Sequence, residues 1–198
     1  APSASNQLAL ASTALKFEAF PFPTTARVLN ELTPETRALP DYHLIAGAMA
    51  LKMNNLEAAE QHYGEAVKLA PDNPAARMSL AVVRLHSKDA RIIADSRTTL
   101  ELLRTDRSVG LLALRSLVAE SVDRGALARA ESLSEQVLTN AQSLFSDRIL
   151  HLAILKAAKR PAFRSFLKET QDKANRHVLA ISEVAAWMNS AGFAREAL

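Results

Sequence analysis

The stretch PDYHLIAGAMALKMNNLEAAEQHYGEAVKLAPDNP, residues 40–74, carries the clearest architectural signal in this chain. Small residues recur three and four positions apart in its first half, at Ala46, Gly47 and Ala50. A helix over residues 43–53 would therefore have one nearly bare face, because residues at these spacings lie on the same side of a helix. Such a face lets a second helix approach closely.

The second half of this stretch predicts the partner helix. Asn54 and Asn55 interrupt the first helix, since their side chains compete for backbone hydrogen bonds and tolerate turn geometry. From Leu56 onward the pattern is amphipathic, and it ends at two prolines, Pro71 and Pro74. The predicted inward stripe consists of Ala59, Tyr63, Ala66 and Val67. We therefore expect two antiparallel helices whose small residues face each other.

The segment resembles one tetratricopeptide repeat, a helix-turn-helix unit of about 34 residues that stacks on its neighbours. The resemblance rests on small, small, aromatic, small and proline residues at Gly47, Ala59, Tyr63, Ala66 and Pro71. The first helix departs from the family pattern, because His43 replaces a frequent Trp, and Ala46 and Ala50 replace Leu and Tyr. The resemblance implies an all-α fold, a right-handed α-solenoid (α-α superhelix) of antiparallel helix pairs, in a protein that binds other polypeptides.

A period of about 34 residues predicts further helix pairs on both sides of this repeat. Residues 1–39 are interpreted as an N-terminal helical pair, either an eroded repeat or a cap. The repeats are expected at residues 40–73, 74–107, 111–144, 145–176 and 177–198, the last of them incomplete. We expect one continuous solenoid that is a fragment of a longer protein, because the chain starts without Met and stops where a second helix would open. A lone first helix at residues 177–190 would leave Val184 and Trp187 poorly covered, so we expect either that the array continues or that another element covers this helix.

The N-terminal pair is less regular than the repeat. Its first helix, within residues 3–20, should bury Leu8, Ala11, Leu15 and Phe17. Thr24 or Thr25 is the expected N-cap of the second helix. That helix should end at Thr33-Pro34, because proline interrupts helical hydrogen bonding.

The composition agrees with a helical protein that buries many small side chains. Hydrophobic residues make up 48% of the chain but aromatic residues only 5%, whereas a sheet protein would show more β-branched and aromatic alternation. The absence of cysteine excludes disulfides and thiolate metal sites. No apolar run approaches the roughly 18 residues of a membrane span, and no signal peptide is visible. Cytoplasmic and periplasmic locations are both allowed.

The family resemblance implies a concave surface lined by the first helix of each repeat, where a peptide or a partner helix would bind. The residues predicted to line this groove are Leu44, Ala48, Lys52, Met78, Ser79, Val82, His86, Arg115, Ser116, Ala119 and Val122. Lys52, His86 and Arg115 are the candidate polar anchors. Some members of the family clamp a C-terminal carboxylate with Lys and Asn, but the matching positions here are Leu44, Ala48 and Ser79, which disfavours that mode. The alternative that several of these residues only pack between repeats stays open.

Basic residues concentrate near the C-terminal end of the chain. Between Asp147 and His177 there are eight of them against three acidic residues, although the formal net charge of the whole chain is only +3. A basic patch is predicted at Lys156, Lys159, Arg160, Arg164 and Lys168. It suits an acidic partner, a membrane surface or nucleic acid. A solvated helix face is favoured, since no aromatic or glycine-rich element accompanies these residues.

No catalytic, cofactor or metal site is predicted. The sequence has no glycine-rich phosphate loop, nucleophile elbow or His-Glu-x-x-His motif. Asp147 and His151, four residues apart, are the only ligand-like pair, and a charge contact at a helix start explains them more simply. The predicted function is a non-enzymatic scaffold for protein–protein interaction. The alternatives are self-association of the array, and binding of nucleic acid or an acidic partner through residues 147–177.

Overall fold

A computed structural model describes residues 3–175 and 178–192 of the chain. All regular structure in these residues is α-helical, and neighbouring helices pack in pairs, which confirms the predicted all-α class built from helix pairs. The chain divides into two compact units between Val109 and Gly110, at the connection between the second and third predicted repeats. The predicted opening of a second helix at residues 193–198 lies outside the described residues, as does His177.

Seven described helices belong to the first unit. They are α1 (Ala4–Phe17), α2 (Pro23–Glu31), α3 (Pro34–Arg37), α4 (Pro40–Lys52), α5 (Leu56–Leu69), α6 (Pro74–Arg84) and α7 (Ala90–Leu103). The pairs α1–α2, α4–α5 and α6–α7 pack together, and contacts of α1 with α4 and of α5 with α6 join one pair to the next. The short α3 was not predicted. Thr33 and Pro34 do end α2, but Thr33 also caps a further turn by accepting the N–H of Thr36 at 3.4 Å.

The helix pair of residues 40–74 forms with the predicted turn. Asn54 adopts a left-handed backbone conformation with a φ of 57°, and the Asn55 side chain caps α5 by accepting the N–H of Ala58 at 3.1 Å. The connection between α4 and α5 is so short that the two helices must pack antiparallel. The buried cluster between them and α6 consists of Ala50, Ala59, Tyr63 and Val83.

The core of the N-terminal pair differs from the prediction at one aromatic residue. α1 buries Leu8, Ala11 and Leu15 as predicted, but Phe17 is 85% exposed. The prediction for Phe17 is wrong because it lies two positions beyond Leu15, and that step turns a side chain to the opposite side of a helix. Phe22 is buried instead, in the cluster that joins α1, α2 and α4.

The start of α2 is held by Glu18 rather than by a threonine N-cap. Phe22 is the N-cap residue, and Pro23 takes the first helical position, where its fixed φ and missing N–H are suited. Thr24 and Thr25 therefore lie inside the first turn, which makes the prediction that one of them is the N-cap wrong. Their backbone N–H groups donate to the Glu18 carboxylate at 2.8 and 3.0 Å. Hydrogen bonds from Thr24 and Thr25 lower the pKa of Glu18 to about 2.

Five described helices belong to the second unit. They are α8 (Gly110–Asp123), α9 (Leu127–Thr139), α10 (Phe145–Ala157), α11 (Phe163–Ala174) and α12 (Val178–Ser190). Each packs against the next, and α10 also contacts α12. Gly125 makes the turn between α8 and α9 with a φ of 69°, a left-handed conformation that glycine adopts without steric cost.

The helix α12 is better covered than predicted. Val184 is only 5% exposed, because α12 packs against both α10 and α11. Trp187 is half-buried, and its ring centre lies 6.3 Å from that of Phe163 on α11. The expectation that a lone first helix would leave Val184 poorly covered is therefore wrong. Of the two alternatives, coverage by another element agrees with the structure, since α10 and α11 pack against α12.

Candidate functional site

A cleft between α1 and α4 of the first unit contains one of the predicted groove residues, Leu44. Its volume is about 410 Å³. The apolar part of its lining consists of Leu8, Leu39, Leu44 and Ile45, and the remainder of Ser5, Ala9, Ser12 and Asp41. Leu44 also packs against the buried cluster around Tyr63, so it belongs to the cleft and to the core.

The other two groove residues predicted on α4 contribute to the packing of α1. Ala48 packs against the cluster that joins α1, α2 and α4. Lys52 Nζ donates to the carbonyl oxygen of Leu15 at 2.5 Å and lies 5.7 Å from the centre of the Phe22 ring. A cation at this place complements the partial negative charge at the C-terminal end of α1. Lys52 thus fastens α1 to α4, and its ammonium group is already engaged within the unit.

Four predicted groove residues lie on α6 or just after it. Met78, Ser79 and Val82 are half-buried. Burial raises the pKa of Tyr63 on α5, and the nearby Ser79 side chain opposes that shift. His86 is exposed, with Nδ1 3.3 Å from the carbonyl oxygen of Val82.

Four more predicted groove residues lie on α8 of the second unit. The Arg115 guanidinium donates two hydrogen bonds to the Asp147 carboxylate, from Nε to Oδ1 at 2.9 Å and from Nη2 to Oδ2 at 2.7 Å. These bonds raise the pKa of Arg115. Asp147 also accepts the N–H of Leu144 at 2.7 Å, so Arg115 fastens α8 to the start of α10. The remaining three are Ser116 and Val122, both half-buried, and Ala119, which is exposed.

Asp147 and His151, the candidate ligand pair, bind side chains on two different helices. Asp147 is bound by α8, whereas Nδ1 of the buried His151 lies 2.7 Å from Ser134 Oγ on α9. Burial lowers the pKa of His151, and Glu135 and Glu131 oppose this shift. Within residues 3–175 and 178–192, no group of three or more His, Asp or Glu side chains is arranged to hold a metal ion.

His151 lines a cavity of about 430 Å³ between α9, α10 and α11 that the sequence analysis missed. Three carboxylates, of Glu131, Glu135 and Glu169, lie in its wall. Its apolar wall includes Leu138, Leu155 and Phe166. The one available signal was the pair Glu131 and Glu135, four residues apart on one helix face, but nothing in the sequence placed this face opposite a histidine of the next helix.

A pair of histidines joins α4 to α5. Nδ1 of His43 lies 3.2 Å from Nδ1 of His62, and the ring of Tyr42 packs edge-on against both imidazoles. Burial lowers the pKa of His43, with Glu65 opposing. Burial, and then the neighbouring His43, lower the pKa of His62. In the sequence, His43 stands out only as a replacement for Trp, because its partner His62 lies on the next helix.

The predicted basic patch is partly taken up by contacts within the second unit. Lys156 donates to the carbonyl oxygen of Ala191, and Arg160 Nε lies 2.6 Å from Glu131 Oε2. Exposed members that form no ion pair with a described residue are Lys159, Arg164 and Lys168. Lys159 follows the end of α10 in a left-handed backbone conformation, with a φ of 53°.

None of the described helices is both long enough and apolar enough to cross a membrane. No family model matches this chain, and no curated protein or solved structure is similar to it. The resemblance to tetratricopeptide repeats rests on the residues of the segment 40–74 and stays a prediction.

Proposed function

We propose that this chain is a non-enzymatic scaffold, built from helical repeats of the tetratricopeptide type, that binds a peptide or a helix of a partner protein. The observation that carries the proposal is the cleft between α1 and α4, with its volume of about 410 Å³ and its floor of leucine and isoleucine side chains. Clefts of this size commonly bind a ligand through apolar walls and a few polar groups that fix its orientation.

The residues around the cleft favour a polypeptide as its occupant. Leu39, Leu44 and Ile45 offer an apolar surface, while Ser5 and Ser12 offer hydroxyl groups that can bond a peptide backbone. An amphipathic helix or an extended peptide presents that combination of apolar side chains and polar backbone. Asp41 is the single ionisable side chain in this lining, so the cleft is suited to binding by apolar burial rather than to proton transfer.

The experiment that tests this proposal blocks the cleft without touching the core. Ala9 lies in the cleft lining and is exposed, so Ala9→Arg introduces a long side chain into the cleft. Ala94→Arg is the matched control, because Ala94 is an exposed alanine on α7. Peptides selected from a displayed random library should bind the parent and Ala94→Arg equally and Ala9→Arg at least about tenfold more weakly, as expected when a bound side chain is displaced. Equal binding to all three proteins would remove the cleft as the site.

Self-association is a second candidate, favoured by apolar residues on α12. Leu179 is 80% exposed and Ile181 is 45% exposed. They lie two positions apart and so on different sides of the helix, but a leucine as exposed as Leu179 can contribute apolar area to a contact between copies. A mass that rises with protein concentration in the parent and stays monomeric in Leu179→Glu would favour this candidate. A concentration-independent monomer would remove it.

Binding of nucleic acid or an acidic partner is supported only by the exposed part of the basic patch. Lys159, Arg164 and Lys168 are the residues concerned. Binding of this kind should weaken steeply as salt concentration rises, and neutralising the three side chains should reduce that salt dependence. The test measures retention of a single-stranded oligonucleotide at low salt by the parent and by the variant with all three residues changed to glutamine. Retention that is lost in the variant would support this candidate, and equal retention by both proteins would remove it.

A further inference from the structure

The cavity between α9, α10 and α11 contains a histidine whose proton can be placed by its neighbours. Ser134 Oγ lies 2.9 Å from the carbonyl oxygen of Glu131 and 2.7 Å from Nδ1 of His151. A carbonyl oxygen only accepts hydrogen bonds, and a serine hydroxyl has one hydrogen to donate. Both contacts are satisfied when Ser134 donates to Glu131 and accepts from Nδ1–H of His151. The other ring nitrogen of His151, Nε2, is then an unprotonated acceptor.

Nε2 of His151 is left without a hydrogen-bond partner among the described residues. The residue as a whole is 4% exposed. In the described part of the chain, Nε2 of His151 is not among the fully enclosed side-chain atoms that lack a hydrogen-bond partner, so it is accessible. Because His151 lines the cavity, its acceptor is reached from there. A buried acceptor that is both unpaired and accessible marks a place for a ligand's donor.

The charges around this acceptor favour a cation. The cavity lining contains carboxylates but no lysine or arginine side chain. Glu131 is paired with Arg160 at 2.6 Å. Glu169 is paired with Arg148 at 3.0 Å and with Lys173 at 2.9 Å. Glu135 is exposed and forms no ion pair with a described residue, so its charge is available to a ligand.

The walls of the cavity favour a ligand with an apolar stem. Leu138, Leu155 and Phe166 line it, and the Phe166 ring is held edge-on by His151 at 4.8 Å between ring centres. The Arg148 guanidinium lies 4.5 Å from the centre of the same ring, which keeps Phe166 in place. Long basic side chains have the matching character, because they bury a hydrocarbon stem while their charged end keeps polar contacts.

We propose that this cavity binds a lysine or arginine side chain of a polypeptide partner. The stem lies against Leu138 and Leu155, the terminal N–H donates to Nε2 of His151, and the positive charge faces Glu135. This inference rests on the proposed function, that the chain binds polypeptides, and adds the chemistry of one recognised side chain. The cavity is contained in the second unit, whereas the cleft between α1 and α4 is contained in the first.

The first test uses small probes that do not depend on peptide binding. The acetylated, amide-capped forms of lysine and arginine are titrated into the ¹⁵N-labelled full chain, with the norleucine form as a probe that has the stem without the charge. The imidazole resonances of His151 should shift with lysine or arginine and not with norleucine. Glu135→Gln should weaken binding by about threefold or more, since a partly exposed charge is lost. Glu183→Gln, at an exposed glutamate of α12, is the matched control and should bind like the parent.

Filling the cavity gives a second variant. Ala162 is exposed and lies in the cavity wall, so Ala162→Phe should abolish the shifts caused by the basic probes. Glu135→Gln changes an exposed side chain without changing its size, and it keeps the test valid if Ala162→Phe fails to fold. Shifts of equal size with norleucine, no shift with any probe, or full binding by Glu135→Gln would each overturn the inference.

Selection of displayed peptides separates this inference from the proposed function. Enrichment of lysine or arginine on the parent, lost on Ala162→Phe and kept on Glu183→Gln, supports both. Peptides that bind without preference for basic residues overturn the inference and leave the proposed function in place. Binding of the lysine probe without capture of any peptide shows a site for a free long-chain cation, and overturns the proposed function together with the polypeptide part of the inference.

Discussion

Gly47 on α4 lies directly against the ring of Tyr63 on α5: a β-carbon at position 47 would stand 2.7 Å from Cε1 and 2.8 Å from Cδ1 of that ring. Tyr63 is 4% exposed and packs in one buried cluster with Ala50, Ala59 and Val83, so the ring has little room to move aside. The closeness of α4 and α5 therefore depends on the missing side chain at position 47.

We predict that Gly47→Ala destabilises the first unit. Overpacking of a filled core costs about 1–3 kcal/mol, and the better helix propensity of alanine offsets up to about 1 kcal/mol of this. Gly64→Ala is the control on α5, where an added β-carbon meets nothing within 4 Å. It should raise the free energy of unfolding by up to about 1 kcal/mol. Urea unfolding measures whether the free energy of unfolding falls in Gly47→Ala and rises in Gly64→Ala. Equal changes in the two variants would contradict the close contact between Gly47 and Tyr63.

We predict strong energetic coupling between Arg115 and Asp147. Their side chains are 25% and 9% exposed, and two hydrogen bonds join them. Arg115→Met should lower the free energy of unfolding by about 2–3 kcal/mol, because it leaves the Asp147 carboxylate buried without its partner. A double-mutant cycle with Asp147→Asn should give a coupling energy of about 1–3 kcal/mol.

The pair Arg27 and Glu31 is the control for this cycle. It is joined at 4.0 Å, and its side chains are 64% and 59% exposed. Its coupling should stay below about 0.5 kcal/mol, as is usual for exposed ion pairs. A coupling of the same size at both pairs would show that Arg115 does not fasten α8 to α10.

We predict that the first unit loses stability as the pH falls below about 6.5. The folded-state pKa values of His43 and His62 lie below the ordinary value of 6.5, so the unfolded chain takes up protons first. The stability that the two neutral histidines contribute is complete above about pH 6.5, and it is lost as the pH falls through their lower folded-state pKa values. Unfolding measured at several pH values should show a shallower slope for His62→Gln than for the parent. His86→Gln, at an exposed histidine, is the matched control, and an unchanged slope in His62→Gln would refute the assignment.

We predict that the Glu18 carboxyl group titrates near pH 2. The Thr24 side chain, and then the backbone N–H groups of Thr24 and Thr25 and the Thr25 hydroxyl, stabilise its charged form. The contribution of Glu18 to stability should therefore be fully present above about pH 4.5, and it should be lost as the pH falls towards about 2. Carbon-13 detection of the Glu18 carboxyl resonance during acid titration measures the value directly. A midpoint near 4.5 would show that α2 is not capped in this way.

The sequence predicts well those features that depend on neighbours in the chain. The small residues Ala46, Gly47 and Ala50 give a bare helix face, and Asn54-Asn55 gives the turn. Both features follow from the local sequence and need no contact with distant parts of the chain. The second unit behaves in the same way. Leu117, Val118 and Leu133 are buried where their periodicity puts them.

The sequence predicts poorly those features that depend on one long side chain reaching another helix. Lys52 bonds a carbonyl oxygen on α1 and Arg115 a carboxylate on α10, although both were expected to be anchors for a partner. The burial of Phe22 depends on a left-handed backbone conformation that bulky residues rarely adopt. The cavity around His151 needs three helices at once, so no local pattern indicates it.

Lys159 holds a positive φ of 53° that glycine would adopt with less strain, by about 1 kcal/mol. An engineer who seeks a more thermostable version of the second unit would therefore replace this lysine with glycine first. The same replacement would remove one of the exposed charges of the basic patch. If the patch has a partner, stability and binding will respond to this single substitution in opposite directions.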